Sequence, residues 1–200
     1  MEALYKRAKL TAVIAALFLL TAFGNYFYRM GECVQMTFLS CVAIGTALAA
    51  AAIEQARGRD IPHFVYLDCA VLAASVVIMC AIFAPEVCFT GMSLVPHLFM
   101  PIIMFLYYFA LCNGRDCRAR FVPTVVVFPT LYYIFMIAFG SISGRSVYVY
   151  FDTNAIGTGM LAVLGVAAVI MLIAVGVILL CVNKCVFEWK GNAESDGVGT

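Results

Sequence analysis

The sequence predicts an all-α fold: a polytopic membrane protein, a bundle of six transmembrane helices with both termini cytoplasmic. Three observations predict it. Hydrophobic residues make up 65% of the 200-residue chain and charged residues 12%, against about 45–50% and about 25% in a soluble domain. The apolar residues gather in long unbroken runs, and the basic residues lie between the runs, nearly all of them on every second connection. A formal charge of +1 supplies no field that would hold nucleic acid, and so high an apolar content excludes a disordered chain.

A helix needs about 20 apolar residues to cross a hydrocarbon core of about 30 Å. The first run, 10–28, follows Lys6, Arg7 and Lys9 as a secretion signal would. It is long and ends in no small-residue cleavage site, so it is expected to remain as a helix. The second, 34–53, contains the small-residue stretch GTALAAAA, suited to close helix contact. The third, 63–84, begins at His63 and carries Asp68. The fourth, 91–112, holds His97 between Pro96 and Pro101. The fifth, 121–140, includes FPTLYY at 128–133, and the sixth, 156–182, has an Ala162–Gly165 step that also fits close packing. No water is present in a bilayer core to satisfy a backbone, so these runs are helices; they lack the alternating ten-residue pattern of a membrane barrel. The connections leave no room for a soluble domain. Residues 1–190 therefore form one six-helix domain, and the polar tail 191–200 (GNAESDGVGT) is expected to be disordered.

Lys6, Arg7, Lys9, Arg57, Arg59, Arg115, Arg118, Arg120, Lys184 and Lys190 share one side of a six-span arrangement, while Arg29 and Arg145 occupy the other. That imbalance places both termini in the cytoplasm. The nine cysteines show no CxxC pair and no His/Cys grouping at metal spacing, and no nucleotide motif is present, so no cofactor and no metal is expected. Cys33 and Cys88 fall at the non-cytoplasmic side, where they are either two free thiols or a disulfide.

Ionisable groups inside a span are costly, and each is a functional candidate. His97 lies about six residues into helix four, and Pro101, which has no N–H, leaves the carbonyl of residue 97 without its helical partner. A kink is expected there. Thr37, at the start of helix two, lies at the same depth of roughly 5–9 Å for a rise of about 1.5 Å per residue, and Ser40 is one turn deeper on a similar face. A hydroxyl beside a neutral imidazole is the minimum equipment for nucleophilic acyl transfer. A Thr that bonds its own i−4 carbonyl and a His that bonds a neighbouring helix are the structural alternatives. Asp68 is at the opposite depth and suits a bond to another helix, a shallow water contact or part of an ion path; His63 sits at the cytoplasmic mouth. Tyr148 belongs to an aromatic group at the outer interface, and Asp152, Thr153 or Asn154 can cap helix six. Asp152 can also orient His97 as the third member of a triad, or pair with Arg145.

MTFLS with Thr37, HLFMP with His97 and Pro101, FPTLYY, and YVYFDTNAIGTG at 148–159 occur in this order from about residue 30 to residue 182. The pattern resembles the six-span androgen-induced/androgen-dependent membrane protein group and its small bacterial relatives. Animal members of that group are intramembrane hydrolases that cleave fatty acid esters of hydroxy fatty acids with a Thr nucleophile and a His. The resemblance implies the same helix order here, with Thr37 as nucleophile and His97 as its base. Ser40, Tyr148, Asp152 and Asn154 are candidates for orienting the site or contacting substrate.

The leading expectation is an integral-membrane hydrolase of a lipid ester that arrives from the bilayer. Its partners would be membrane lipids and no nucleic acid. The rivals are a transporter or channel with Asp68 and His97 as relay groups, and a non-enzymatic membrane protein with a degenerate site. Brevity and the near-absence of soluble tails point to a bacterial inner membrane, with an endomembrane as the alternative.

Overall fold

A computed structural model describes residues 2–26, 33–115, 117–144, 147–148 and 153–196, side chains near the ends of the first and last helices apart. Among these residues the chain is helical, with α1 (Glu2–Tyr26), α2 (Met36–Ala56), α3 (His63–Phe83), a short α4 (Pro85–Cys88), α5 (Met100–Leu111), α6 (Val127–Ser143) and α7 (Thr153–Asp196). Three tighter or wider turns complete two of the spans. A 3₁₀ turn at Gly91–Ser93 and a π turn at Val95–Phe99 lead into α5, and a 3₁₀ segment at Ala119–Val126 leads into α6. Six stretches are long and apolar enough to cross a membrane: Leu4–Gly24, Met36–Ala56, His63–Phe83, Gly91–Leu111, Ala119–Ser143 and Gly159–Lys190. The protein is a multi-pass membrane protein.

Burial separates the helices. The third span is the most enclosed, and Leu67, Ala70 and Val71 have no exposed surface. The last two spans are the least buried and leave Leu131, Ile142, Met160, Val166 and Ile170 among their exposed apolar side chains. In a soluble protein so much exposed apolar surface would be a liability; around a membrane bundle it is the surface that meets lipid. α1 and α2 form the most extensive helix pair. There the small-residue stretch does what its composition suggests: a Cβ at Gly45 would lie 2.8 Å from Leu19 Cγ and 3.2 Å from the Ala15 carbonyl oxygen. At the Ala162–Gly165 step a Cβ on Gly165 would lie 3.0 Å from the Tyr133 ring.

Several boundaries differ from the sequence reading, each for a physical reason. α1 starts at Glu2 rather than at residue 10; Lys6 pairs with Glu2 at 2.8 Å one turn away, which supports the helix outside the apolar run. The tail expected to be disordered from residue 191 is helical as far as Asp196. A long apolar helix supplies the costly nucleus, so each added residue needs only propagation. α7 is interrupted at Gly157, whose φ of 73° and ψ of 154° suit glycine and almost no other residue.

One end of the bundle is held by a polar network that crosses four helices. The Thr11 hydroxyl on α1 donates to Gln55 Oε1 on α2 at 2.8 Å and accepts from the Tyr107 hydroxyl on α5 at 2.8 Å. Gln55 Nε2 donates to Tyr66 Oη on α3 at 2.8 Å. Tyr66 donates onward to Asp60 Oδ1 at 2.5 Å, and Arg7 pairs with the other oxygen of Asp60 at 2.7 Å. Nearby, Asn183 on α7 closes the frayed end of α5. Its Nδ2 donates to the carbonyls of Tyr108 at 3.0 Å and Cys112 at 2.9 Å, and its Oδ1 accepts the Gly114 N–H at 2.8 Å. Asn183 is fully buried, so no water can replace it. Asn183→Leu, of similar volume, strands the Cys112 carbonyl and the Gly114 N–H. At about 1–3 kcal/mol for each buried unpaired group, the expected loss is about 2–6 kcal/mol in a reversible unfolding titration in mixed micelles. A loss within about 0.5 kcal/mol, the scale of an ordinary surface change, would contradict this assignment.

Candidate active site

Thr37 enters the site because of how α2 begins. The first N–H groups of a helix have no partner within it, and Gln35 at the N-cap supplies no side-chain bond. Tyr148 takes that place: the Met36 N–H donates to its phenol oxygen at 2.9 Å across 112 residues. Tyr132 on α6 donates to the Val34 carbonyl at 3.0 Å, and the two tyrosines are themselves hydrogen-bonded. The first turn of α2 is thus fixed from two other elements. Burial pushes the Tyr148 phenol above the ordinary tyrosine value, so it is protonated throughout the neutral range.

His97 owes its placement to two prolines. Neither Pro96 nor Pro101 has an N–H to give to a helix, and Pro101 is the residue that would have paired with the carbonyl of His97. The chain answers by widening the turn: the Met100 N–H donates five residues back to the Val95 carbonyl. Such π turns are rare and often sit at functional sites. The expected irregularity is therefore present as one wide turn carrying His97.

The imidazole is held at both nitrogens. Nδ1 lies 2.7 Å from the Ser93 carbonyl oxygen, which can only accept, so Nδ1 carries the proton and Nε2 keeps its lone pair. Nε2 lies 3.2 Å from the Thr37 hydroxyl oxygen, which must then be the donor. Thr37 is buried and His97 is half-buried. Thr46 and Ser75 bond back to their own helices, Thr46 to the Val42 carbonyl at 2.9 Å and Ser75 to the Leu72 carbonyl at 2.7 Å. Thr37 instead reaches across to another span. Ser40, three residues on, is 1% exposed, and its hydroxyl oxygen has no hydrogen-bond partner among the described residues.

The remaining candidates separate from this pair. Asp152 and the side chain of Asn154 lie outside the described residues; the Nδ1 position that a carboxylate could orient is occupied by the Ser93 carbonyl. Asp68 accepts from the Thr124 hydroxyl at 2.8 Å, a bond to another helix. His63 packs against the Tyr108 ring, with centroids 5.4 Å apart. Cys33 and Cys88 are thiols and are not joined in a disulfide.

Two neighbours of the pair were missed. Cys80, near the end of α3, and Cys88, at the end of α4, place their sulfur atoms and a His97 ring nitrogen all within 4.8 Å of one another. No spacing in the sequence signals this, because the turn between α3 and α4 brings the cysteines together. Tyr132 likewise has no mark within FPTLYY that sets it apart, because its role depends on the position of Val34.

Compared with protein-family models, with curated proteins and with solved structures, the chain matches none. Function must therefore be argued from the geometry itself. The first consequence concerns the proton. With only two histidines in the chain, His63→Gln leaves one imidazole signal in a nitrogen-15 spectrum of detergent-solubilised protein. At neutral pH His97 is expected as the neutral tautomer protonated on Nδ1; a proton on Nε2 would remove the acceptor that Thr37 faces.

Proposed function

We propose that the chain is an intramembrane threonine hydrolase of a lipid ester, of the type represented by fatty acid esters of hydroxy fatty acids, and a relative of the androgen-induced/androgen-dependent group. The observation that carries this reading is the 3.2 Å separation of the Thr37 hydroxyl and His97 Nε2, with the Ser93 carbonyl holding the ring in the acceptor tautomer. Supporting it, the same two residues match the threonine and histidine of the pattern described above, and they come from spans 60 positions apart. Asp68, the other ionisable residue well inside a span, is tied to Thr124, which leaves a relay between it and His97 without support.

In the proposed reaction Thr37 Oγ1 attacks the ester carbonyl carbon as its proton passes to His97 Nε2. The Nδ1–H bond to Ser93 keeps the resulting imidazolium in place, as the orienting member of a triad does. Collapse of the tetrahedral intermediate breaks the bond to the alkoxy oxygen, which takes the proton from Nε2 and leaves as an alcohol. Water then attacks the acyl-threonine with His97 as base, and the carboxylic acid departs. Charge on the former carbonyl oxygen needs a donor in a dry site; Ser40, buried and unpartnered one turn below Thr37, is the assigned donor. With both termini in the cytoplasm, the dyad lies under the opposite face, and the ester enters sideways from the outer leaflet of a bacterial inner membrane.

Purified wild-type protein should cleave a palmitic acid ester of hydroxystearic acid in mixed micelles. Thr37→Ala and His97→Ala should each lower turnover at least about a thousandfold in protein that still purifies folded. Ser40→Ala should lower kcat by about 10²–10³ with KM retained, the loss expected for one oxyanion donor. A fluorophosphonate probe should label wild type and Ser40→Ala but not Thr37→Ala; equal labelling of Thr37→Ala would place the nucleophile elsewhere.

A further inference from the structure

Beside the dyad the molecule carries two thiols that the proposed reaction does not use, and they share its imidazole. Cys80, Cys88 and His97 each offer one ligand atom, and all three lie within 4.8 Å of one another. Cys80 and Cys88 are both buried and their thiols are hydrogen-bonded to each other. They come from separate elements, Cys80 from α3 and Cys88 from α4, and the tight turn at Ala84 and Pro85 makes them neighbours. Two thiols and one imidazole form a borderline-soft donor set suited to a closed-shell divalent ion. For zinc, bonds of about 2.3 Å to sulfur and about 2.0–2.1 Å to nitrogen in a tetrahedron imply ligand separations of about 3.6–3.8 Å. The three donors need to draw in by about an ångström from their outer limit of 4.8 Å, a movement available to side chains on a short helix. A metal-bound histidine nearly always donates its other ring N–H to a carbonyl or carboxylate; His97 does so to Ser93 at 2.7 Å.

We infer that Cys80, Cys88 and His97 form a zinc site, and that zinc bound there switches off the Thr37–His97 pair. The switching rests on the hydrolase reading; the binding site does not. Binding is balanced as follows: each thiol loses its proton to solvent, both thiolates and Nε2 donate a lone pair to the ion, and the fourth position is left for water. Nothing is oxidised. Nε2 has one lone pair. Once it is directed to the metal it cannot accept the Thr37 proton, and Nδ1 is already protonated and engaged with Ser93. A single imidazole thus serves either the ion or the hydroxyl, never both.

The test uses the full-length protein, stripped with a chelator and titrated with Co²⁺ as a visible substitute for Zn²⁺. One equivalent of Co²⁺ should bind, with intense thiolate-to-cobalt charge-transfer bands that one equivalent of Zn²⁺ abolishes. Thr37→Ala should retain these bands, whereas Cys80→Ser/Cys88→Ser should lose them. The wild-type titration decides the matter even if the double variant folds poorly: no stoichiometric bands, or bands that survive in the double variant, overturn the site. Recovery of a Cys80–Cys88 disulfide, with no bound metal, from protein purified without reductant also overturns it. For the switch, ester cleavage by wild type should fall at least tenfold between chelator and saturating Zn²⁺, and the ratio should approach one in the double variant. Cleavage that ignores Zn²⁺ while cobalt binds overturns the switch alone. Cobalt bands without any cleavage, with or without Zn²⁺, overturn the hydrolase reading and leave the metal site standing.

Discussion

A polar group held away from water must find its partner inside the bundle, and this constraint organises both ends of the molecule. At one end Thr11, Gln55, Tyr66, Asp60, Arg7 and Tyr107 satisfy one another across α1, α2, α3 and α5. At the other, the opening of α2 is satisfied by Tyr148 and Tyr132, and Thr37 by His97. Between them the helices meet through apolar side chains and small residues such as Gly45 and Gly165. Van der Waals packing alone specifies helix register weakly in lipid, where the tails are as apolar as the side chains. The polar clusters specify it, and because they lie at opposite ends they also limit rotation and tilt of the helices between them.

The same constraint explains why the irregular backbone sits where it does. A span that carries two prolines within six residues loses backbone donors that lipid cannot replace. The π turn at Val95–Phe99 recovers one bond by reaching back five residues instead of four. It also shifts the angular position of everything before it, so that Ser93 O can stand beside Nδ1 while Nε2 faces α2. The cost of the wide turn and the usefulness of the imidazole's orientation thus have one origin, the positions of Pro96 and Pro101.

Much of the fold is legible because lipid imposes its rules locally: length and apolarity are enough to mark six spans, and a shared depth permits the contact of Thr37 with His97 across 60 residues without singling it out. What escapes is whatever depends on rotation about a helix axis or on a turn. Depth places Ser40 below Thr37, yet nothing in the residue order says that its hydroxyl is left without a partner. Gln55 and Asn183 look like ordinary polar residues near helix ends, but one is the hub of a network and the other closes a helix on a different span. Cys80 and Cys88, eight positions apart, match no metal-binding spacing, and only the turn after α3 makes them adjacent. The helical continuation to Asp196 belongs to the same class, since composition describes residues 191–196 without reference to the long helix that precedes them.

The histidine concentrates these considerations. Its Nδ1 is committed by the backbone of its own turn, so only Nε2 is available to another partner. Thr37 approaches that nitrogen from α2, and the two thiols at the α3–α4 turn lie within 4.8 Å of a ring nitrogen. A hydroxyl is a weak competitor for an imidazole lone pair against a divalent ion already held by two thiolates, because the charge of the ion dominates any such site. The geometry that makes His97 a suitable base, a neutral ring with one fixed N–H and one free lone pair, is therefore also the geometry that makes it a good ligand. Whether the hydroxyl or the ion takes that lone pair depends on the supply of metal at the membrane surface, with no rearrangement of the helices required.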